Sequence, residues 1–231
     1  MVVEPWLAAA ALGVLGLMIG SFLNVVIWRL PRMMEADWRR ECAQLHATDQ
    51  PDPSADVHTS VPPPPGPTFN LWQPASHCPH CQRPLRWRDN IPLLGYLVLG
   101  GRCAQCKAPI SLRYPLVEVA CALVFAHCGW RYGLNVQALA WCGFGAALLT
   151  LAMIDLDTSL LPDAITQPLV WFGLVLAAVG VTGTPLLAAL WGAVAGYLVL
   201  WSVYWAFKIL TKKEGMGYGD FKLLGAMGAW L

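Results

Sequence analysis

Long apolar runs separated by short polar breaks dominate this chain. The first run covers 6–28, and a long polar stretch, 29–114, follows it. Further apolar runs lie at about 115–132, 136–155, 166–183 and 185–210, and a last one starts near Phe221 and stops at Leu231. A helix needs roughly 20 apolar residues to cross a hydrocarbon core of about 30 Å. The pattern therefore predicts an all-α, polytopic membrane helical bundle with five full helices and part of a sixth. The segment from Phe221 to Leu231 would span only about 16 Å as a helix, so the sixth reads as truncated. Three units are expected: a first transmembrane helix (1–28), a polar loop (29–114) and a transmembrane core (115–231).

Composition supports the bilayer as solvent. Hydrophobic residues make up 57% of the 231 positions and charged residues 13%, about half the charged share of soluble domains. Membrane lipid is thus an expected partner. A net charge of +1 supplies no field for nucleic acid, which is not expected as a partner. No basic residue precedes the first apolar run, so that run reads as a retained helix rather than a cleaved signal. Ten of the fifteen Lys and Arg residues lie from Arg29 to Arg113; Lys208, Lys212, Lys213 and Lys222 flank the end of the fifth run. Alternating helices put both groups on one side, and the positive-inside rule makes that side cytoplasmic.

The loop divides again. Its 49–68 part is Pro-rich and expected to be irregular, whereas 77–113 is compact, basic and cysteine-bearing, a small cytoplasmic module. No internal sequence repeat stands out. Cys78 and Cys81 form one Cys-x-x-Cys pair, Cys103 and Cys106 a second, with 21 residues between them. Two such knuckles can place four thiolates around one Zn²⁺. Four protein ligands leave no open position, so the metal would be structural. A redox dithiol is the other use of such pairs. His77 and His80 adjoin the first knuckle as ordinary surface residues. Cys42, Cys121, Cys128 and Cys142 are scattered, the last three in apolar runs, and read as small hydrophobes.

Acids at a membrane edge are costly and need a reason. Asp155, Asp157 and Asp163 close the third apolar run, and Asp220 follows Gly215, Gly217 and Gly219 after the fifth. The alternation of helices puts both groups at one depth. Two carboxylates sharing a proton can activate water for amide hydrolysis. The glycines would let a peptide backbone approach Asp220. Helix capping, loop solvation or an ion path are the other uses of acids so placed. Asn24 is positioned to hydrogen-bond between helices.

Several segments together resemble the type IV prepilin peptidase (leader peptidase/N-methyltransferase) family. Gly20-Ser-Phe-Leu-Asn-Val-Val-Ile-Trp-Arg-Leu-Pro31 resembles its first-helix signature. The two Cys-x-x-Cys pairs, with Asn90-Ile-Pro-Leu and Arg113-Tyr-Pro-Leu-Val-Glu118, resemble its cytoplasmic domain. Ile154-Asp-Leu-Asp-Thr-Ser-Leu-Leu-Pro-Asp163 is similar to the first catalytic motif, and Gly217-Tyr-Gly-Asp-Phe-Lys-Leu-Leu224 to the second. The resemblance implies an aspartyl peptidase of the bacterial cytoplasmic (inner) membrane, its active site facing the cytoplasm. Such an enzyme removes the basic leader of type IV prepilins or type II secretion pseudopilins at a Gly-Phe-type junction. It then N-methylates the new N-terminus, with S-adenosylmethionine as methyl donor. By the same resemblance Asp155 and Asp220 are the catalytic pair, Asp157 and Asp163 are not, and Gly101 lies in the segment tied to methylation. Since the family continues past the second motif, an inactive fragment or a non-catalytic, prepilin-binding membrane scaffold is the alternative.

Overall fold

The computed structural model describes residues 4–49, 69–86, 88–213 and 215–231. Most of the Pro-rich segment, 50–68, lies outside them. The described residues form seven helices: α1 Pro5–Asp49, α2 Leu94–Val98, α3 Arg113–Tyr132, α4 Val136–Thr158, α5 Asp163–Ala178, α6 Leu186–Thr211 and α7 Tyr218–Trp230. Within α1 the segment Pro5–Leu45, together with α4 and α6, is long and apolar enough to cross a membrane. Helix α5 is apolar but shorter. The result is an all-α, multi-pass membrane bundle with a small cysteine module, as the hydropathy pattern implies, but three helices among the described residues, rather than the five expected, are long and apolar enough to cross a membrane.

The helices form where their apolar runs lie, with one large difference in length. Helix α1 does not stop at Trp28 but continues to Asp49. Beyond the apolar run it carries the helix-spaced ion pairs Arg39–Glu35 and Arg40–Asp37 on its exposed face, which favour continued helix over coil. Pro31 sits inside it. Helix α5 is displaced instead: it begins at Asp163 and ends at Ala178, because Gly180 and Gly183 turn the chain with positive φ. Helix α4 starts where Asn135 caps it, the side-chain oxygen accepting the Ala138 N–H at 2.7 Å.

Two helix packings fix the bundle, and each depends on glycine. Along α1 and α3 the contacts pair Gly20 with Glu118, Gly16 with Ala122 and Gly129 with Ala8, so the helices run antiparallel. A Cβ on Gly16 would stand 2.8 Å from the Ala122 Cα. Small residues of this kind let membrane helices touch through their backbones. Helices α6 and α7 pack in the same way, with Gly192 directly against Gly228 and Gly196 against Leu224.

Two apolar clusters follow. One joins α1, α3 and α4 through Leu12, Ile27, Phe125 and Ile154, and it also holds Cys121, Cys128 and Cys142. The other joins α4, α5 and α7 around Trp230, whose indole N–H donates to the Leu169 carbonyl at 2.8 Å. Asn24 makes the expected bond between helices, donating to the Tyr114 carbonyl at 3.1 Å.

Candidate active site and metal centre

Asp155 lies in the last turn of α4, just before Ser159 ends the helix in a left-handed conformation. Asp220 lies in the first turn of α7, where an acid is favoured by the helix dipole. The chain between α4 and α5 brings these ends together: a Cβ on Gly219 would stand 2.8 Å from the Leu161 Cβ. The start of α7 is also held from α6. Tyr204 is buried and its hydroxyl lies 3.0 Å from that of Tyr218. Phe221, fully buried, packs against both rings.

The four aspartates at this end have different surroundings. Asp157 is paired with Arg113 of α3 at 2.6 Å, and Arg113 also donates to the Met153 carbonyl at 3.2 Å. Asp163 is paired with Lys222 of α7 at 2.6 Å. Asp155 and Asp220 make no side-chain hydrogen bond or ion pair among the described residues. Asp155 is exposed and Asp220 half-buried. Two of the three glycines before Asp220 stand where a Cβ would meet a neighbouring side chain. Gly215 closes on the Phe207 ring and Gly219 on Leu161, leaving Gly217 as the one with space beside the Asp220 carboxylate.

At the same end sits the cysteine module, between α1 and α3. Its two knuckles are copies of each other, 25 positions apart. In the first, the Cys78 N–H donates to the Arg83 carbonyl, the Gln82 N–H to the Cys78 carbonyl and the Leu85 N–H to the Ser76 carbonyl. In the second, Cys103 pairs with Ala108, Lys107 with Cys103 and Ile110 with Gly101 in the same three ways. Gln82 and Lys107 both adopt φ 58°. This repeat is legible in the sequence as Cys-x-x-Cys-x-x-Pro-(Leu/Ile), at 78–85 and 103–110. It escapes notice because only the cysteines and one proline are identical.

The four sulfurs fit a metal ion. Four thiolates at about 2.3 Å from a common centre would stand about 3.8 Å apart in a tetrahedron. Cys78 and Cys106 are 3.8 Å apart, Cys81 and Cys103 3.9 Å, and all four sulfurs lie within 4.8 Å of one another. The knuckle backbone favours thiolates: N–H groups of Cys106 and Gln105 bring Cys103 down to about 6, and those of Cys81 and His80 lower Cys78. Cys106 is pushed the other way. The Ala108 N–H works to lower it, but burial and the neighbouring thiols carry it up to about 11. Four sulfurs this close cannot all ionise without a cation between them. His77 and His80 are outside the cluster.

Gly101 opens the second knuckle with φ 68°, and a Cβ there would lie 2.7 Å from the Tyr96 hydroxyl. The module is fixed to α1 by Arg29, buried, which donates to the carbonyls of Asn70 at 2.8 Å and Pro74 at 2.6 Å. Between the module and the ends of α1 and α3 is a cavity of about 440 Å³. Glu118 lines it, 8% exposed, accepting the Leu93 N–H at 2.9 Å. Sequence reasoning gives no sign of this cavity, because its walls come from three distant stretches of chain.

Comparison with known proteins agrees over nearly the whole length. Residues 14–132 match the model of the bacterial peptidase A24 N-terminal domain, and 142–231 that of the type IV leader peptidase family. A protein of Stutzerimonas stutzeri named prepilin leader peptidase/N-methyltransferase is 51% identical over 94% of this chain and 71% of its own length. Proteins of the same name from Pseudomonas putida and Pseudomonas aeruginosa are each 48% identical, over 98% and 94% of this chain and 74% and 70% of their own lengths. No solved structure matches. The chain belongs to the type IV leader peptidase family.

Proposed function

We propose that this chain is a membrane aspartyl endopeptidase that removes the basic leader of type IV prepilins or type II secretion pseudopilins and then N-methylates the new N-terminus. Asp155 and Asp220 are the catalytic pair. One carboxylate takes a proton from water as it attacks the scissile carbonyl. The other, protonated, polarises that carbonyl and later protonates the leaving amine. The observation that carries this reading is the division among the four aspartates. Arg113 and Lys222 engage Asp157 and Asp163, while the carboxylates of Asp155 and Asp220 have no cation partner among the described residues. A cation beside a carboxylate disfavours its protonated form, the form that one member of a proton-sharing pair must adopt.

The remaining assignments follow from the same architecture. Zinc is the metal of Cys78, Cys81, Cys103 and Cys106, since tetrahedral thiolate sites suit it, and its role is structural. S-adenosylmethionine is the methyl donor: the new amine's lone pair forms the N–CH₃ bond, the S–CH₃ pair returns to sulfur and the surplus proton leaves to water. Gly101 serves methylation by letting the second knuckle close over Tyr96. The aspartates and the module face the cytoplasm from the inner membrane in this reading, which the basic stretches beside them support. Residues 1–28, 29–114 and 115–231 act as anchor, module-bearing loop and peptidase core.

The test is leader removal from a prepilin with a basic leader and a Gly-Phe junction, followed by mass. Asp155→Asn and Asp220→Asn should each lower the rate at least about 100-fold, within the range for loss of a general acid or base, with protein levels unchanged. Cleavage retained in either variant rejects the pair. Saturable prepilin binding without cleavage by the unaltered chain identifies a scaffold instead.

A further inference from the structure

We infer that the cavity between α1, the start of α3 and the cysteine module is the seat of S-adenosylmethionine, with Glu118 receiving its sulfonium and Asp89 its ammonium. The inference rests on the methyl-transfer half of the proposed function. The cavity's volume, about 440 Å³, is in the range of small-molecule and cofactor pockets.

Its charges have the right signs. Two carboxylates, Glu118 and Asp89, line the cavity together with Arg83, and neither acid forms an ion pair among the described residues. The donor carries a sulfonium, an ammonium and a carboxylate, which is the complementary set. Arg29 also lines the wall, but its guanidinium is committed to the Asn70 and Pro74 carbonyls.

Glu118 is the more informative of the two acids. It lies on a helix, almost wholly buried, where a carboxylate is expensive unless paired. One oxygen accepts the Leu93 N–H and holds that residue at φ 56°. Its other oxygen has no hydrogen-bond partner among the described residues. A carboxylate with one oxygen held by the backbone and the other open to a cavity is suited to a cation that arrives with a ligand. Tyr96 and Tyr114 supply aromatic surface on the same wall, suited to an adenine ring or to the sulfonium.

The experiment is equilibrium binding of S-adenosylmethionine and of S-adenosylhomocysteine to the full chain in detergent, with bound metal per chain and melting temperature as checks on folding. The two ligands differ by the methyl group and the charge on sulfur. Glu118→Gln keeps an acceptor for Leu93 and removes only the charge. It should weaken S-adenosylmethionine roughly tenfold, the scale of one lost charge-assisted contact, and change S-adenosylhomocysteine by less than about twofold. Asp89→Asn, facing the ammonium that both ligands carry, should weaken both by a similar factor, and ultraviolet cross-linking of radiolabelled donor should mark peptides from 21–28 or 89–118. Equal losses for both ligands in Glu118→Gln, unchanged affinity in both variants, or label confined to other peptides would overturn the cavity assignment while leaving methyl transfer standing. No binding of either ligand by unaltered protein that still cleaves prepilin would overturn both it and the methylation reading.

Discussion

Only Leu156 separates Asp155 from Asp157, yet the two acids meet different surroundings. On a helix such neighbours point about 200° apart, so one can face α3 while the other does not. Arg113 reaches Asp157 and the Met153 carbonyl together, tying the start of α3 to the last turn of α4. Arg113 is thus a positioning residue for Asp155 rather than a catalytic one. Arg113→Ala should cost little stability, within the roughly 0.2–1 kcal/mol typical of partly exposed ion pairs. Cleavage should nevertheless slow about tenfold or more, since small misplacements of a reacting group are expensive. The loss should fall on kcat with KM nearly unchanged, and Asp157→Asn should reproduce most of it without adding to it. A purely additive double variant would show that the pair does not act as a unit. The motif's spelling does reveal which residues are acidic. It cannot reveal which are neutralised, because Arg113 and Lys222 lie 44 and 59 residues from their partners.

At the scale of elements, the two motifs that carry Asp155 and Asp220 matter less as separate helix ends than as one junction. The link between α4 and α5 lies under the first turn of α7, with Leu161 filling the space that a side chain at 219 would need. Gly219 is therefore required by close approach, whereas the sequence alone suggests a track for substrate. Gly219→Ala should lift α7 at Asp220 and cut cleavage sharply while the helix content stays intact. Leu161→Ala in the same chain should restore part of the lost rate by vacating the site. Failure of that rescue would mean that Gly219 is needed for substrate rather than for packing. The other elements differ in how much of them hydropathy could disclose. Runs 115–132 and 136–155 foretell α3 and α4 because their ends coincide with polarity changes and with Asn135 as a cap. The extension of α1 past Trp28 is invisible to hydropathy, since charged residues paired along a helix look like a loop. Helix α2, only Leu94–Val98, is too short to leave a periodic signal.

Across the whole molecule, the contacts between the module with its flanking segment and the membrane core include Arg29 to the Asn70 and Pro74 carbonyls, Glu118 to Leu93, and the ring pairs Trp28–Phe69 and Phe22–Trp72, each at 6.1 Å. The cysteine spacing foretells a metal site, but not that this site forms one wall of a cavity whose opposite wall is α1. That wall exists only when the two knuckles are held together, because Cys78 and Cys103, both lining it, belong to different copies. A module this small has little apolar core and depends on its staple. Removing the metal with a strong chelator should thus release about one ion per chain and make the stretch from 69 to 113 sensitive to protease. Helical circular dichroism should change little, since α1 and α3–α7 keep their packing. The functional consequence separates the two chemistries: binding of S-adenosylmethionine should disappear with the metal. Leader cleavage should fall less, because Asp155 and Asp220 stand on helices whose contacts with α3, α5 and α6 do not pass through the knuckles. Cleavage lost in parallel with donor binding would instead make the module part of the peptidase site, folded over the aspartates when substrate is present.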